Sequence, residues 1–138
     1  MNPDTGQYPS ELQSLSRGEC LRLLASVPIG RIVYTRQALP AVELVNFTLD
    51  GGDIVIRTDQ GDKLAAAAQG TVVAFEADDV DIASRRGWSV TAVGYSRVVT
   101  DPDDIARLLL TGPRPWAPGE REHFIRITPG ILNGRRLG

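Results

Sequence analysis

A four-residue turn signal, DGGD at residues 50–53, constrains the fold of this sequence more than any other feature. Two adjacent glycines can take the positive φ angles that a tight hairpin requires. The flanking runs, residues 40–49 and 54–58, are rich in the β-branched and aromatic residues that favour strands. A similar run, residues 31–35, precedes them across a short turn. The pattern therefore predicts an antiparallel meander of three strands.

Short helices are predicted between the strands. Ser16 and Glu19 have the spacing of a capping box, in which each side chain satisfies a free amide at the start of a helix. The run GDKLAAAA at residues 61–68 has high helix propensity and ends before Gly70. A third helix is predicted to begin at Asp101-Pro102, with its leucines facing inward.

Three further strands complete the prediction, at residues 71–77, 88–99 and 123–128. An acidic loop is expected at residues 78–81, and its spacing lacks the glycine and the distal glutamate of a calcium loop. Gly94 in the long fifth strand predicts a bend or a bulge, as a barrel needs at a corner. Six mostly antiparallel strands with short helices therefore indicate a mainly β, closed or nearly closed barrel.

Composition restricts the classes of function. The 138 residues are 42% apolar and 23% charged, which is typical of one globular domain. We expect residues 1–15 to form a flexible arm and residues 16–138 to form that domain. The net charge of −2 argues against nucleic acid as a main partner. No apolar run is long enough to span a membrane and the N-terminus lacks a signal core, so we expect a cytoplasmic protein.

The sequence contains one cysteine and one histidine, and this restricts catalysis. Cys20 lies among leucines in a helical pattern, which predicts a small core residue. His123 lacks a nucleophile-elbow motif to accompany it, which argues against a Ser-His-Asp triad. These two residues are also the strong candidates for an axial haem ligand.

The most informative segment runs from Ile54 to Ala68, where a strand, a tight turn and a helix follow one another. The start of a helix favours an anion. Arg57, Thr58 and Lys63, the only lysine, would converge on such an anion and suit a phosphate monoester. Local chemistry alone leaves open the alternative that Arg57 and Lys63 are solvated and that Thr58 caps the turn.

Six segments in this order give the chain a resemblance to a known family. The segments are GRIVYT, LVNFTLDGGDIVIRT, GDKLAAA, VAFEAD, GWSVTAVGYSRVV and ITPGILNGRRL. From about Ser16 to the C-terminus they resemble the flavin-binding split β-barrels related to pyridoxamine 5′-phosphate oxidase, most closely the short actinobacterial members.

The resemblance implies a homodimer that binds two FMN molecules in the clefts between its subunits. The phosphate clamp of the family falls on Arg57, Thr58 and Lys63, with Leu64 beside it. The flavin ring would lie along the second strand, and the start of the fifth strand would help to enclose it. The residues implied at those two places are Val45, Asn46 and Phe47, and then Trp88 and Ser89. Trp116, Arg135 and Arg136 are candidates to reach the cofactor of the other subunit.

Two departures from the family pattern limit what can be transferred. Asp62 stands where many relatives carry a second basic residue, and a carboxylate beside a phosphate lowers affinity unless it points away. The C-terminal basic residues that recognise pyridoxal phosphate in the true oxidases are not recognisable, so we do not predict oxidation of vitamin B6.

Three functions remain open at this level. The first is a flavin-dependent oxidoreductase of unknown small-molecule substrate, in which the ring does the redox chemistry; a 5-deazaflavin coenzyme in the same cleft is a variant of it. The second is a protein that binds or senses FMN or haem without turnover. The third is a structural dimer whose clamp has decayed.

Overall fold

The computed structural model describes residues 12–58, 63–116 and 123–138, with the side chain of Lys63 outside the description. These ranges contain seven strands and three helices. In chain order they are β1 (Leu12–Ser14), α1 (Arg17–Leu24), β2 (Ile29–Arg36), β3 (Leu39–Asp50), β4 (Asp53–Thr58), α2 (Lys63–Ala68), β5 (Thr71–Asp81), β6 (Arg86–Val98), α3 (Pro102–Thr111) and β7 (His123–Leu137).

All seven strands belong to one antiparallel sheet in the order β1-β7-β4-β3-β2-β5-β6. An additional pairing between β7 and β6 closes six of the strands, from β7 to β6, into a ring, and β1 is added alongside β7. The predicted mainly β barrel is therefore confirmed. The strand beyond the predicted six is β1, which pairs with the end of β7. It lies within the range expected to be a flexible arm, residues 1–15, of which residues 1–11 are outside the described part.

Two predicted boundaries were wrong. The acidic stretch at residues 78–81 is strand, because it pairs with residues 86–89 of β6 and the hairpin turns only afterwards. The last strand does not stop at Thr128 but continues to Leu137. Beyond Thr128, β7 keeps pairing with β6, with a shift of register between Val93 and Gly94 of β6. A β-carbon at Gly94 would overlap the carbonyl oxygen of Thr128, so glycine is required at this irregularity.

Several local signals produced the predicted structure. The Ser16 hydroxyl accepts a hydrogen bond from the Glu19 amide at 3.2 Å, and the Glu19 carboxylate accepts one from the Ser16 amide at 3.2 Å. Gly51 and Gly52 turn the hairpin with φ angles of 61° and 87°. The Asp101 side chain caps α3 by accepting from the Asp103 amide. Local chemistry thus fixes the starts of α1 and α3 and the main hairpin.

Two apolar clusters support the barrel. The larger fills its interior and includes Phe47, Phe75 and, as predicted, the fully buried Cys20. The smaller lies on the outside, where Val55, Leu108 and Phe124 hold α3 against β4 and β7. None of the helices in the described ranges combines the length and the apolar character needed to cross a membrane.

One outer face of the sheet carries an apolar row. Val33 pairs with Val42 on one side and with Ala74 on the other, and the row continues to Val93 and Ile131. Directly paired residues point to the same side of a sheet, so the row crosses five strands on one face. Val42 is 62% exposed and Ile131 is 57% exposed within the single chain.

Candidate functional site

A cavity of about 670 Å³, which we call the Asn46 cavity, lies between the end of α1, the second half of β3 and the segment that follows α3. Its volume is within the range of small-molecule sites. Arg114 is the one ionisable side chain among the described residues that line it. The lining comprises residues 24–28, 46–49, 111–114 and Trp116.

Asn46 has an unusual hydrogen-bond arrangement in this cavity. Its Oδ1 accepts a hydrogen bond from the Trp116 backbone amide at 3.1 Å. Its Nδ2 is buried and has no partner within the described residues. A buried donor without an acceptor costs about 1–3 kcal/mol. The amide therefore presents a donor that a ligand carbonyl could satisfy.

The pairing of β3 with β4 ends at Phe47 and Ile56. Asn46 is the next residue on β3, and Arg57 is the next residue on β4. Its guanidinium is 5.4 Å from the centre of the Phe124 ring and donates to the Pro113 carbonyl at 3.3 Å. Pro113 lines the Asn46 cavity, so Arg57 ties the segment after α3 to the sheet. The predicted clamp residue thus supports the wall of the cavity but is not one of the residues that line it.

The other predicted residues of this region are more buried. Thr58 is 2% exposed, and Leu64 at 1% belongs to the barrel interior. Phe47 packs edge-to-face on Phe75 with ring centres 4.7 Å apart, and Val45 packs against the same core. Lys63 begins α2, but its side chain and the preceding turn, residues 59–62, lie outside the described residues. Asn46 is the predicted ring contact with a free polar group at the cavity.

A second cavity of about 550 Å³, the Trp88 cavity, lies where β1, the β5–β6 hairpin and the end of β7 meet. Trp88 and Ser89 line it, and so does Arg135. The structure does not bring this cavity to the Asn46 cavity. Thr58 pairs with His123 at the start of β7, whereas Trp88 pairs with Arg136 near its end. The predicted site residues therefore form two groups at opposite ends of one long strand.

An ion-pair network, which we call the Asp50 network, anchors α3 beside the Asn46 cavity. Arg107 of α3 makes two hydrogen bonds of 3.0 Å to the Asp50 carboxylate. Arg126 of β7 reaches Asp50 at 2.6 Å and Asp53 at 3.2 Å. The hydrogen bonds from Arg107 and Arg126 lower the pKa of Asp50 to about 2. The network fixes the helix from which the cavity wall at residues 111–116 extends.

A second charged group, the Glu76 cluster, lies on the apolar outer face. Arg31 is 3.0 Å from Glu76 and 3.2 Å from Asp78. The pKa of Glu76 is raised to about 7, chiefly by burial and then by the neighbouring Asp78, and Arg31 lowers it only in part. The Arg31 guanidinium thus forms ion pairs with both carboxylates.

Comparison with known proteins decides the family. A family model described as pyridoxamine 5′-phosphate oxidase matches residues 16–136. The chain belongs to the pyridoxamine 5′-phosphate oxidase family. It is 41% identical to an uncharacterised protein of Mycobacterium tuberculosis over 138 residues, covering 95% of this chain and 89% of the relative.

Solved structures of the family share the fold. An FAD-binding protein from Mycobacterium smegmatis is 34% identical with a TM-score of 0.73, covering 93% of this chain and all of the other. A Corynebacterium diphtheriae protein of unknown function is 30% identical with a TM-score of 0.76, covering 92% and 98% of the two chains. The resemblance found in the sequence and the split barrel are thereby confirmed.

Sequence reasoning within the family pattern missed part of the site. It did not place residues 24–28 or 111–114 at a cavity, because neither segment carries a motif. It did not predict that the Trp116 backbone amide donates to Asn46 of the same chain, while the reach of Trp116 across the dimer stays a prediction. It also missed the Asp50 network, whose partners are separated by 57 and 76 positions in the sequence. The acidic pair flanking the hairpin glycines was the available signal, and it was interpreted as a turn.

Proposed function

We propose that this protein binds a flavin phosphate in the Asn46 cavity and uses it in a redox reaction on a small molecule. The observation that carries the proposal is the buried Asn46 Nδ2, which has no acceptor among the described residues. The pyrimidine edge of a flavin carries carbonyl oxygens that would accept this hydrogen bond. Membership of the family and the FAD bound by the Mycobacterium smegmatis relative support the same cofactor class.

The residues around the cavity fit a cofactor of this kind. Asn46 would hold the polar edge of the ring, and Arg57 and Lys63 would supply positive charge for the phosphate. Thr58 and Leu64 would keep the end of β4 and α2 in place, since both side chains are buried. The sequence implied FMN, and the relative binds FAD, so both flavins belong in the test.

The bound flavin would supply the electron transfer. The chain's contribution is to orient the ring and exclude water, because the described lining holds no carboxylate, histidine or thiol to act as an acid or base. A cavity walled by Leu24, Val27, Phe47 and Leu49 suits a flat, largely apolar ring. The protein would therefore depend on the cofactor for its chemistry.

We further propose that the protein is a homodimer. The apolar row from Val42 to Ile131 is a surface that a second copy would cover. A single chain keeps Trp88 and Ser89 at the opposite end of β7 from Arg57. These two residues would then approach a flavin only from the partner, which makes the complete site a property of the dimer.

The decisive experiment is a titration of the purified protein with FMN, FAD and a 5-deazaflavin, followed by flavin fluorescence. We expect at least one to bind, and Asn46→Asp to weaken it at least tenfold, because the change replaces the donor by an acceptor and adds a negative charge. Gln13→Glu, the same chemical change on the exposed strand β1, is the matched control and should bind like the wild type.

Lys63→Ala in the same titration tests the phosphate clamp. Loss of a charge-assisted hydrogen bond should weaken binding by about 1.5–3 kcal/mol. A protein that binds none of the three cofactors would disprove the proposed function. If Asn46→Asp and Gln13→Glu bind the flavin with equal affinity, Asn46 does not contact the flavin ring.

A further inference from the structure

We propose that Arg57 and Asn46 position one wall of the Asn46 cavity, and that Asn46 couples this wall to the bound cofactor. The wall consists of residues 112–116, which we call the Pro113 segment. Its attachment to the sheet is a property of the chain alone, whereas the coupling rests on the proposed flavin binding. Arg57 is thus a positioning residue that acts on the cofactor through Pro113, in addition to the charge that the proposed function gives it.

The Pro113 segment has few backbone attachments. It leaves α3 at Gly112, whose amide donates to the Leu108 carbonyl at 2.8 Å. Pro113 and Pro115 have no amide hydrogen to donate. Within the described ranges, no backbone–backbone hydrogen bond joins residues 113–116 to another part of the chain. The position of the segment on the sheet therefore depends on hydrogen bonds that involve side chains.

Two such hydrogen bonds attach the segment, one near each end. Arg57 donates to the Pro113 carbonyl at 3.3 Å. Asn46 Oδ1 accepts from the Trp116 amide at 3.1 Å. Arg57 belongs to β4 and Asn46 to the neighbouring β3, so both bonds reach the same end of one hairpin. The segment is thereby held over the part of the sheet at which the cavity opens.

The Phe124 ring orients the Arg57 guanidinium. The two groups are 5.4 Å apart, measured to the centre of the ring. Phe124 is fully buried and belongs to the cluster that holds α3 against the sheet. A guanidinium is planar with donors at fixed angles, so a ring beside it restricts the directions in which it can donate. A lysine ammonium at this position would keep the charge but lose this restriction.

Asn46 links the segment to a ligand through its two polar atoms. Its Oδ1 is used by Trp116, while its buried Nδ2 has no acceptor within the described residues. A rotation of the side chain that gave Nδ2 a partner would break the bond to Trp116, so the two requirements oppose each other. A ligand carbonyl at Nδ2 removes this conflict. It also makes Oδ1 a better acceptor, because hydrogen bonds in a chain polarise one another.

Hydrogen exchange of the Trp116 backbone amide, followed by NMR, measures the attachment in the cofactor-free protein. Arg57→Gln and Asn46→Ala should each accelerate this exchange at least fivefold. Asn46→Asp keeps an acceptor oxygen, so exchange should be no faster than in the wild type. Arg22→Gln, at an exposed position of α1, is the matched control. If Arg57→Gln and Asn46→Ala exchange like Arg22→Gln, the attachment is refuted.

Riboflavin, which lacks the phosphate, separates the two roles of Arg57. Arg57→Gln should weaken riboflavin at least threefold, because a loosened segment affects the ring. Lys63→Ala, which the proposed function gives to the phosphate, should weaken FMN and leave riboflavin unchanged. Normal riboflavin binding by Arg57→Gln would overturn the positioning role.

Arg57→Lys repeats the test with the charge retained. It should accelerate exchange of the Trp116 amide and weaken FMN at least threefold, since an ammonium does not reproduce the oriented guanidinium. Thermal melting checks that each variant is folded. Full recovery of both wild-type exchange and wild-type FMN affinity by lysine would show that only the charge of Arg57 matters, and would refute the positioning role.

The coupling is tested by adding flavin to the same samples. Saturating FMN should slow exchange of the Trp116 amide at least fivefold in the wild type but not in Asn46→Asp, which lacks the donor for the ring. An FMN complex in which exchange is unchanged would disprove the coupling. Failure of every flavin to bind would disprove the proposed function and with it the coupling, whereas the rates in the cofactor-free protein still decide the attachment.

Discussion

The Asp50 network and the Glu76 cluster are built from the same two kinds of side chain, but they behave in opposite ways. In the Asp50 network two arginines face two aspartates, and the pKa of Asp50 falls to about 2. In the Glu76 cluster one arginine faces two carboxylates, and burial and Asp78 raise the pKa of Glu76 to about 7. Burial is the largest cause at Glu76, and the arginines decide whether burial is offset: the two on Asp50 outweigh it, whereas the single one on Glu76 does not.

The difference also follows the surroundings of each group. The Asp50 network fastens α3 to the sheet, so its charges are balanced within the chain. The Glu76 cluster lies on the uncovered outer face, beside the row that runs from Val42 to Ile131. The Glu76 cluster has one more carboxylate than arginine, and the extra negative charge is neutralised by a proton or by a second molecule. The first arrangement serves stability, and the second leaves this face sensitive to pH.

The largest effect on the difference between the two charged groups is expected from the removal of Arg126, which is 8% exposed. Arg126→Leu leaves Asp53 without its guanidinium and Asp50 with one instead of two. We expect a loss of about 2 kcal/mol in the free energy of unfolding, measured in urea. Arg107→Leu is the control, because that side chain is 45% exposed and its removal should cost clearly less than that of Arg126. Equal losses of unfolding free energy in the two variants would show that burial does not determine how much each arginine contributes to stability.

Acid should act on the same network. The pKa of the Asp50 carboxyl is 3.8 ordinarily and about 2 in the fold, so the unfolded chain takes up this proton first. Stability is therefore present above pH 3.8 and decreases as the pH falls towards 2, by roughly 1–2 kcal/mol after solvent screening. Asp50→Asn should abolish this part of the pH dependence, and Asp79→Asn should not. Unfolding curves collected between pH 2 and 5 measure it.

The smallest expected effect has the opposite sign. Because the pKa of Glu76 is raised from 4.5 to about 7, the folded chain retains this proton longer than the unfolded chain. Its contribution to stability is complete below pH 4.5 and is lost as the pH rises through 7. Glu76→Gln should remove that loss, about 1 kcal/mol or less because the side chain is 28% exposed. A steeper loss in Glu76→Gln than in Asp79→Asn would contradict the assignment.

The sequence predicts most of this fold because its decisive signals are local. The capping box at Ser16 and the glycines at residues 51–52 each act within a few residues, and each was found in its predicted place. The irregularity at Gly94 was also found where it was predicted, although Thr128 of the distant β7 is what requires glycine there. The ends of β5 and β7 depend on partners far along the chain. Asp79 and Asp81 have the composition of a loop, yet pairing with β6 holds them in a strand.

The site was less predictable for the same reason. Arg57 could be named from the strand, turn and helix that follow one another, and Asn46 from the family resemblance; both lie near the end of one hairpin. The walls of the Asn46 cavity come from segments without motifs, and only the packing of α3 places residues 111–116 over β3. Trp88 and Ser89 could be named but not located relative to Arg57, because β7 separates them by its full length. Their roles remain predictions.

The position of β7 has a consequence for biosynthesis. This strand follows all its partners in the chain, yet it pairs with β1, β4 and β6, and Leu12 meets Leu137. The ring cannot close until the ribosome has delivered the last of these residues. Until then β4 and β6 each present an unpaired edge, which is a template for wrong association between nascent chains. The barrel therefore has to be completed after translation of its final strand, when loop closure over almost the entire chain becomes possible.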